Sequence, residues 1–84
     1  MKTLGDYQKY INREITIVGF VDKKRVKVLD VYRFGANEYR PYFAFRCEVV
    51  HSKLGEGLGE RENLLCRDVV RNGQLVDSIK VLAR

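Results

Sequence analysis

Between Arg40 and Val50 the chain alternates. Phe43, Phe45, Cys47 and Val49 are apolar, whereas Arg40, Tyr42, Ala44, Arg46 and Glu48 between them are mostly charged or amphipathic. A period of two marks a strand with one face on a core and one in water, and the pattern predicts a strand over 39–51. A preceding strand is predicted over 25–34, with Gly35-Ala36-Asn37-Glu38 as the turn. If Phe34 faces Tyr39, one face pairs Arg33/Arg40, Val31/Tyr42, Leu29/Ala44 and Lys27/Arg46. The other pairs Tyr32/Pro41, Asp30/Phe43, Val28/Phe45 and Val26/Cys47, which brings the apolar sets together. Pro41 has no N–H to donate and belongs at a strand start or edge.

The flanking segments fill out a β-rich chain. Residues 14–22 read as a first strand, with Ile15, Ile17 and Val21 on one side, Thr16, Val18 and Phe20 on the other, and Gly19 marking a bulge or bend. Lys23-Lys24-Arg25 follows as a basic turn. Residues 3–12 predict a short helix in which Thr3 caps, Asp6 sits at the positive end, and Leu4, Tyr7, Tyr10 and Ile11 form a stripe suited to a lid on a small barrel.

Residues 51–63, with Gly55, Gly57 and Gly59, read as a flexible connection. The segment GEGLGE lacks the Walker lysine-serine ending, and its glutamates would repel phosphate. Asn72-Gly73 is a strong hairpin signal between strands over 64–71 and 74–83, pairing Arg71/Gln74, Val70/Leu75, Cys66/Ile79 and Leu64/Val81. That register opposes Asp68 to Asp77. Such a pair suits acid catalysis or a divalent ion, but it more readily marks a strand misplaced by one residue. A helix from Ser78 is the alternative there.

A helix, a three-strand meander, a long connection and a tight hairpin predict a mainly β fold. The expected form is a single domain over 1–84, a small five-stranded OB-like barrel with a short N-terminal helix. The run Asn12-Arg13-Glu14-Ile15-Thr16-Ile17-Val18-Gly19-Phe20-Val21-Asp22-Lys23-Lys24-Arg25 resembles the opening strand of OB-fold anticodon-binding domains in class II aminoacyl-tRNA synthetases, which share a mid-strand glycine and a basic turn. The chain departs from that family in having a glycine-rich loop where a helix joins the third and fourth strands, so an SH3-like barrel is the alternative.

Composition narrows the classes. With 45% apolar and 32% charged residues the chain is a folding sequence, not a disordered one. Its start shows no signal peptide and no apolar run is long enough to span a membrane, so a cytoplasmic protein is expected. Two cysteines, Cys47 and Cys66, do not make a disulfide framework and are expected as buried thiols. With one histidine, His51, a zinc site is a poor reading, and no metal or cofactor is expected.

The net charge of +5 favours a polyanionic partner, nucleic acid or an acidic protein. In an OB-fold the face of strands two and three binds oligonucleotides. Here Lys27, Arg33, Arg40, Tyr42 and Arg46 are expected on that face, with Lys23, Lys24 and Arg25 on the first loop and Arg71 on the last. Tyr42 offers a stacking ring and the arginines pair with phosphate.

The expected function is a non-enzymatic module for single-stranded DNA or RNA. Against it stands an ordinary solvated face, with Glu48 neutralising the arginines, since only Tyr42 is a convincing aromatic there. The alternative function is a small viral or accessory module that docks on a host protein. Leu29 and Val31 would suit such an interface, and a free strand edge would suit strand addition or a homodimer. His51 beside Ser52 lacks a third group, so catalysis is not expected.

Overall fold

Strands form where β-branched and aromatic residues recur at every second position, because those side chains pack well on a pleated surface. The structure, a computed structural model, describes residues 3–19, 22–35, 42–76 and 78–80. Four antiparallel strands run as a meander: β1 (Glu14–Val18), β2 (Lys23–Phe34), β3 (Tyr42–Ser52) and β4 (Arg61–Leu65). A fifth, Ser78–Lys80, lies parallel to β1 at the other edge, and a separate hairpin joins Val70–Arg71 to Gln74–Leu75. In chain order these are β5 (Val70–Arg71), β6 (Gln74–Leu75) and β7 (Ser78–Lys80), and the sheet order is β4-β3-β2-β1-β7. The sheet curls into a half-barrel, so the fold is the small, barrel-like, mainly β one expected, with its short N-terminal helix.

The inner face of the curl is the core. Ile15, Ile17, Val26, Val28, Val31, Phe43, Phe45, Cys47 and Val49 line it. Two short helices cover it: α1 (Leu4–Gln8) with the turn after it, and α2 (Cys66–Val69). The first helix starts as the sequence predicts. The Thr3 N–H donates to Asp6 Oδ2 at 2.6 Å, closing the first turn. Tyr7 and Tyr10 are buried against Phe45, both rings edge-on at 6.1 and 6.0 Å, while Leu4 is exposed. The Tyr10 hydroxyl donates to the Gly73 carbonyl at 2.7 Å and so ties the β5–β6 hairpin to the helix end.

Pairing of β2 with β3 departs from the expected register. Phe34 faces Tyr42 instead of Tyr39, and the pairs run Arg33/Phe43, Tyr32/Ala44, Val31/Phe45 and Asp30/Arg46. Leu29 is then an extra residue, after which Val28/Cys47, Lys27/Glu48 and Val26/Val49 pair. The β3 half of the expected core is as read; on β2, Val31 takes the place assigned to Tyr32 and Asp30. The physical reason is burial: this register sets Val31 on Phe45, where the expected one would have put Asp30 against Phe43. Residues 36–41, which include most of the expected turn as well as Arg40 and Pro41, lie outside the described residues, as do Phe20 and Val21.

Three other expectations are corrected. The first strand ends at Val18, and Lys23, Lys24 and Arg25 are strand residues of β2, not a turn. The segment 64–71 is not one strand: it is the end of β4, then α2, then β5. Cys66 therefore sits on a helix, and Ile79 pairs with Ile17 instead. Among the described residues the turn-proximal pairs Arg71/Gln74 and Val70/Leu75 form as expected around Asn72-Gly73. Asp68 is exposed on α2, while Asp77 and Val81 lie outside the described residues.

Both thiols are free and buried, as read. Burial pushes Cys47 up to about 12, with the nearby Glu62 charge adding, and burial likewise takes Cys66 to about 12. Both stay protonated and unreactive near neutral pH. Among the described residues no helix is long and apolar enough to cross a membrane.

Phe45, fully buried under both tyrosine rings, is the hub of this packing. Phe45→Ala is expected to lower unfolding free energy by about 3–5 kcal/mol, most of what a domain of this size has. Urea denaturation followed by circular dichroism measures it; a loss under about 1 kcal/mol, the range of an exposed-site substitution, contradicts this packing.

Candidate nucleic-acid interface

The Leu29 bulge decides what the outer face carries. Without an extra residue, the parity that buries Val26 and Val28 would bury Asp30, Tyr32 and Phe34. With it, Val31 turns inward and those three turn outward. Outside, Tyr32 pairs with Ala44 and Phe34 with Tyr42. The three rings form a row: Tyr32 to Phe34 at 6.1 Å between centroids, and Phe34 stacked on Tyr42 at 5.7 Å and 30°. Phe34 and Tyr42 are 40% and 38% exposed, so each keeps a ring surface open to solvent. Gly35, at φ +99°, ends β2 where a Cβ would come within 3.4 Å of the Tyr42 ring.

A guanidinium sits at each end of the row. Arg46 lies 5.0 Å from the Tyr32 centroid and 3.9 Å from Asp30 Oδ2, and Arg67, on α2, lies 5.4 Å from the Tyr42 centroid. Such contacts are worth roughly 0.5–1 kcal/mol when exposed, enough to orient the cations without desolvating them. Ala44, buried beneath this face, adds no bulk between the rings.

At the other end of β2 the same outer face is cationic. Lys23, Arg25 and Lys27 alternate on it, beside Val18, Thr16 and Glu14 of β1. Arg25 Nε is 3.8 Å from Glu14 Oε1, and Lys27 pairs in register with Glu48.

Of the residues singled out in the sequence, Lys23, Arg25, Lys27, Tyr42 and Arg46 thus share one face. Three others do not join them. Lys24 pairs with Ile17 on the inner side, where its Nζ reaches Glu62 Oε1 at 3.4 Å. Arg33 pairs with Phe43 and falls on the core side, exposed beyond the packed region. Arg71 is on the β5–β6 hairpin, off the sheet. Arg40 lies outside the described residues. The expected juxtapositions of Arg33 with Arg40 and Lys27 with Arg46 depended on the register now corrected.

Tyr32, Phe34 and Arg67 were missed. The first two carried a signal: the apolar spacing on β2 is two from Val26 to Val28 but three from Val28 to Val31, the mark of a bulge. Arg67 carried none, because it reaches Tyr42 only through a helix turn that 64–71 did not suggest.

Asp22 fixes the cationic end. Its Oδ1 accepts the Lys23 N–H at 2.8 Å and its Oδ2 the Ser52 hydroxyl at 3.0 Å, while its carbonyl accepts the Gly19 N–H at 2.7 Å. Ser52 is therefore committed to the turn, and its neighbour His51 is exposed. Partial burial pushes the Asp22 carboxyl up, but the Ser52 hydroxyl, the N–H groups of Lys23 and Leu54 and the Lys24 charge outweigh it and hold the group below its ordinary value. Among the described residues no cluster of His, Cys, Asp and Glu is suited to a metal ion.

Neither known protein families, nor curated proteins, nor solved structures yield a match to this chain.

A carboxyl held low adds stability above its unfolded pKa, and that stability disappears as pH falls through the lower folded value. Asp22→Asn is therefore expected to lower the denaturation midpoint at pH 7. The difference from the parent should shrink as pH drops below 3.8, the ordinary Asp value. A gap that stays constant down to pH 2 contradicts the clamp.

Proposed function

We propose that the protein is a non-enzymatic module that binds single-stranded nucleic acid on the outer face of β2 and β3. The observation that carries this is the row Tyr32–Phe34–Tyr42 with Arg46 and Arg67 at its ends. Unpaired bases stack on such rings whatever their identity, because every base has a π-face, and flanking guanidiniums meet the phosphates between them. Rings already held by their neighbours lose little freedom when a base settles on them. A net charge of +5 draws a polyanion to the surface from a distance.

A second reading, docking on an acidic protein, draws on Leu54 and Leu58, both more than half exposed in the β3–β4 connection, and on the place of β4 at the sheet edge among the described residues. It expects binding that survives loss of the rings.

Phe34→Ala is expected to weaken oligothymidylate binding by about 1–3 kcal/mol, roughly 5- to 150-fold in Kd. Arg67→Gln should flatten the log–log salt slope by about 0.7 for the phosphate contact it loses. Fluorescence anisotropy across a salt series reads both. An affinity indifferent to salt, or unchanged in Phe34→Ala, removes the proposal; retained capture of an acidic protein by that variant would favour the docking reading.

A further inference from the structure

At the far end of β2 from the rings, Thr16, Lys23, Lys24, Arg25, His51 and Lys53 line an open basin of about 380 Å³. Two of its cations are occupied: Lys24 by Glu62 and Arg25, loosely, by Glu14. Lys23 and Lys53 are exposed, and among the described residues neither has a carboxylate within ion-pair distance. Their backbones are joined, the Lys53 N–H donating to the Lys23 carbonyl at 2.9 Å, so the two ammonium groups stem from one fixed point. Asp22, the nearest acid in sequence, is held in the turn by the Lys23 N–H and the Ser52 hydroxyl, and its one charge offsets only part of the basin's four cations. An anion of two or more oxygens can be met by both ammonium groups at once, since their backbones are adjacent and both side chains line the basin.

Two irregularities put the basin and the rings on one face: the Leu29 bulge turns Tyr32 and Phe34 outward, and a second register shift between Arg25 and Val26 skips Val50 and sets His51 opposite Arg25. From Arg25 to Tyr32 is seven strand residues, about 23 Å at roughly 3.3 Å each. A stacked strand advances about 3.4 Å per nucleotide, so some seven nucleotides bridge the two, and fewer if the strand is extended. That length lies inside the roughly 4–16 nucleotides a small β-barrel covers.

We infer that the basin is a phosphate subsite for the same strand that stacks on the rings, so that full affinity requires a ligand long enough to reach both. This rests on the function proposed above and adds to it a second anchor, a minimum ligand length and a direction along β2. The group bound is a phosphate oxygen set, supplied by an internal phosphodiester or a terminal phosphate.

The test compares (dT)3 with (dT)10, the latter with and without a phosphate at either end, on the parent, Lys23→Gln/Lys53→Gln and Lys23→Arg/Lys53→Arg. The parent is expected to gain at least tenfold in affinity from the trimer to the decamer. The glutamine pair should lose most of that gain and flatten the decamer's salt slope by about 1.4, whereas the arginine pair keeps both. Tighter binding of one phosphorylated end assigns a terminal phosphate and its polarity; equal binding assigns a phosphodiester. An identical gain in the glutamine pair, with its unfolding midpoint at the parent value, overturns the subsite and leaves the stacking surface standing. Failure of every oligonucleotide to bind the parent overturns both.

Discussion

One extra residue in β2 governs both sides of the sheet. The core requires Val26, Val28 and Val31 to face Val49, Cys47 and Phe45, and three valines at spacings of two and three cannot do so on a regular strand. Inserting Leu29 without a partner satisfies all three. Burying Val31 in place of Asp30 also spares the core an unpaired carboxylate, a cost of several kcal/mol in an apolar surrounding. The consequence outside follows by parity. Lys23, Arg25 and Lys27 before the bulge and Asp30, Tyr32 and Phe34 after it come to lie on one surface, with cations at one end and rings at the other.

The charges divide along the same line. Inside, Lys24 closes the end of the core against Glu62, whose field reaches Cys47. Outside, the ion pairs are long and solvated, 3.8 Å for Arg25–Glu14 and 3.9 Å for Arg46–Asp30. Pairs of that kind contribute about 0–1 kcal/mol and open readily, so the outer cations can change partners at little cost. Asp22 belongs to neither group. Donors from both strands hold it, and it sets where the ends of β2 and β3 meet.

Much of the fold was legible because a period of two is a strong signal when it runs for ten residues. Phe43, Phe45, Cys47 and Val49 point inward as read, with Val26 and Val28 on their side, and Ile15 and Ile17, read as one side of their strand, also face the core. The turn-proximal Asn72-Gly73 pairs and the helix start at Thr3 follow from local chemistry that tertiary contacts did not override. What failed had a shared cause: register was carried across a turn on the assumption that spacing stays regular. One bulge then exchanged Tyr32 for Val31 and moved Arg33 away from Tyr42. In 64–71 a single helical turn reaches burial for Cys66 and Val69 at a spacing of three, which a strand reading cannot accommodate. Lys27, Tyr42 and Arg46 lie on the outer face where they were expected; Lys23 and Arg25, expected on a turn, reach that face as strand residues, and Arg33, whose place depended on the register, does not.

Had Tyr32, Phe34 and Tyr42 served only to stiffen the sheet, aliphatic β-branched residues would pair as well across β2 and β3 and leave less aromatic surface in water. The row instead places aromatic on aromatic at 5.7 and 6.1 Å, contacts worth about 0.5–1.5 kcal/mol each beyond burial, and ends in guanidiniums at both sides. Gly35 takes a positive φ of 99° beside Tyr42, a backbone that any residue with a side chain would adopt only under strain. Tyr32 is tilted 49° from Phe34, Phe34 and Tyr42 lie within 30° of each other, and both of these keep part of their ring surface in water. That surface is the one on which the proposed binding of single-stranded nucleic acid rests.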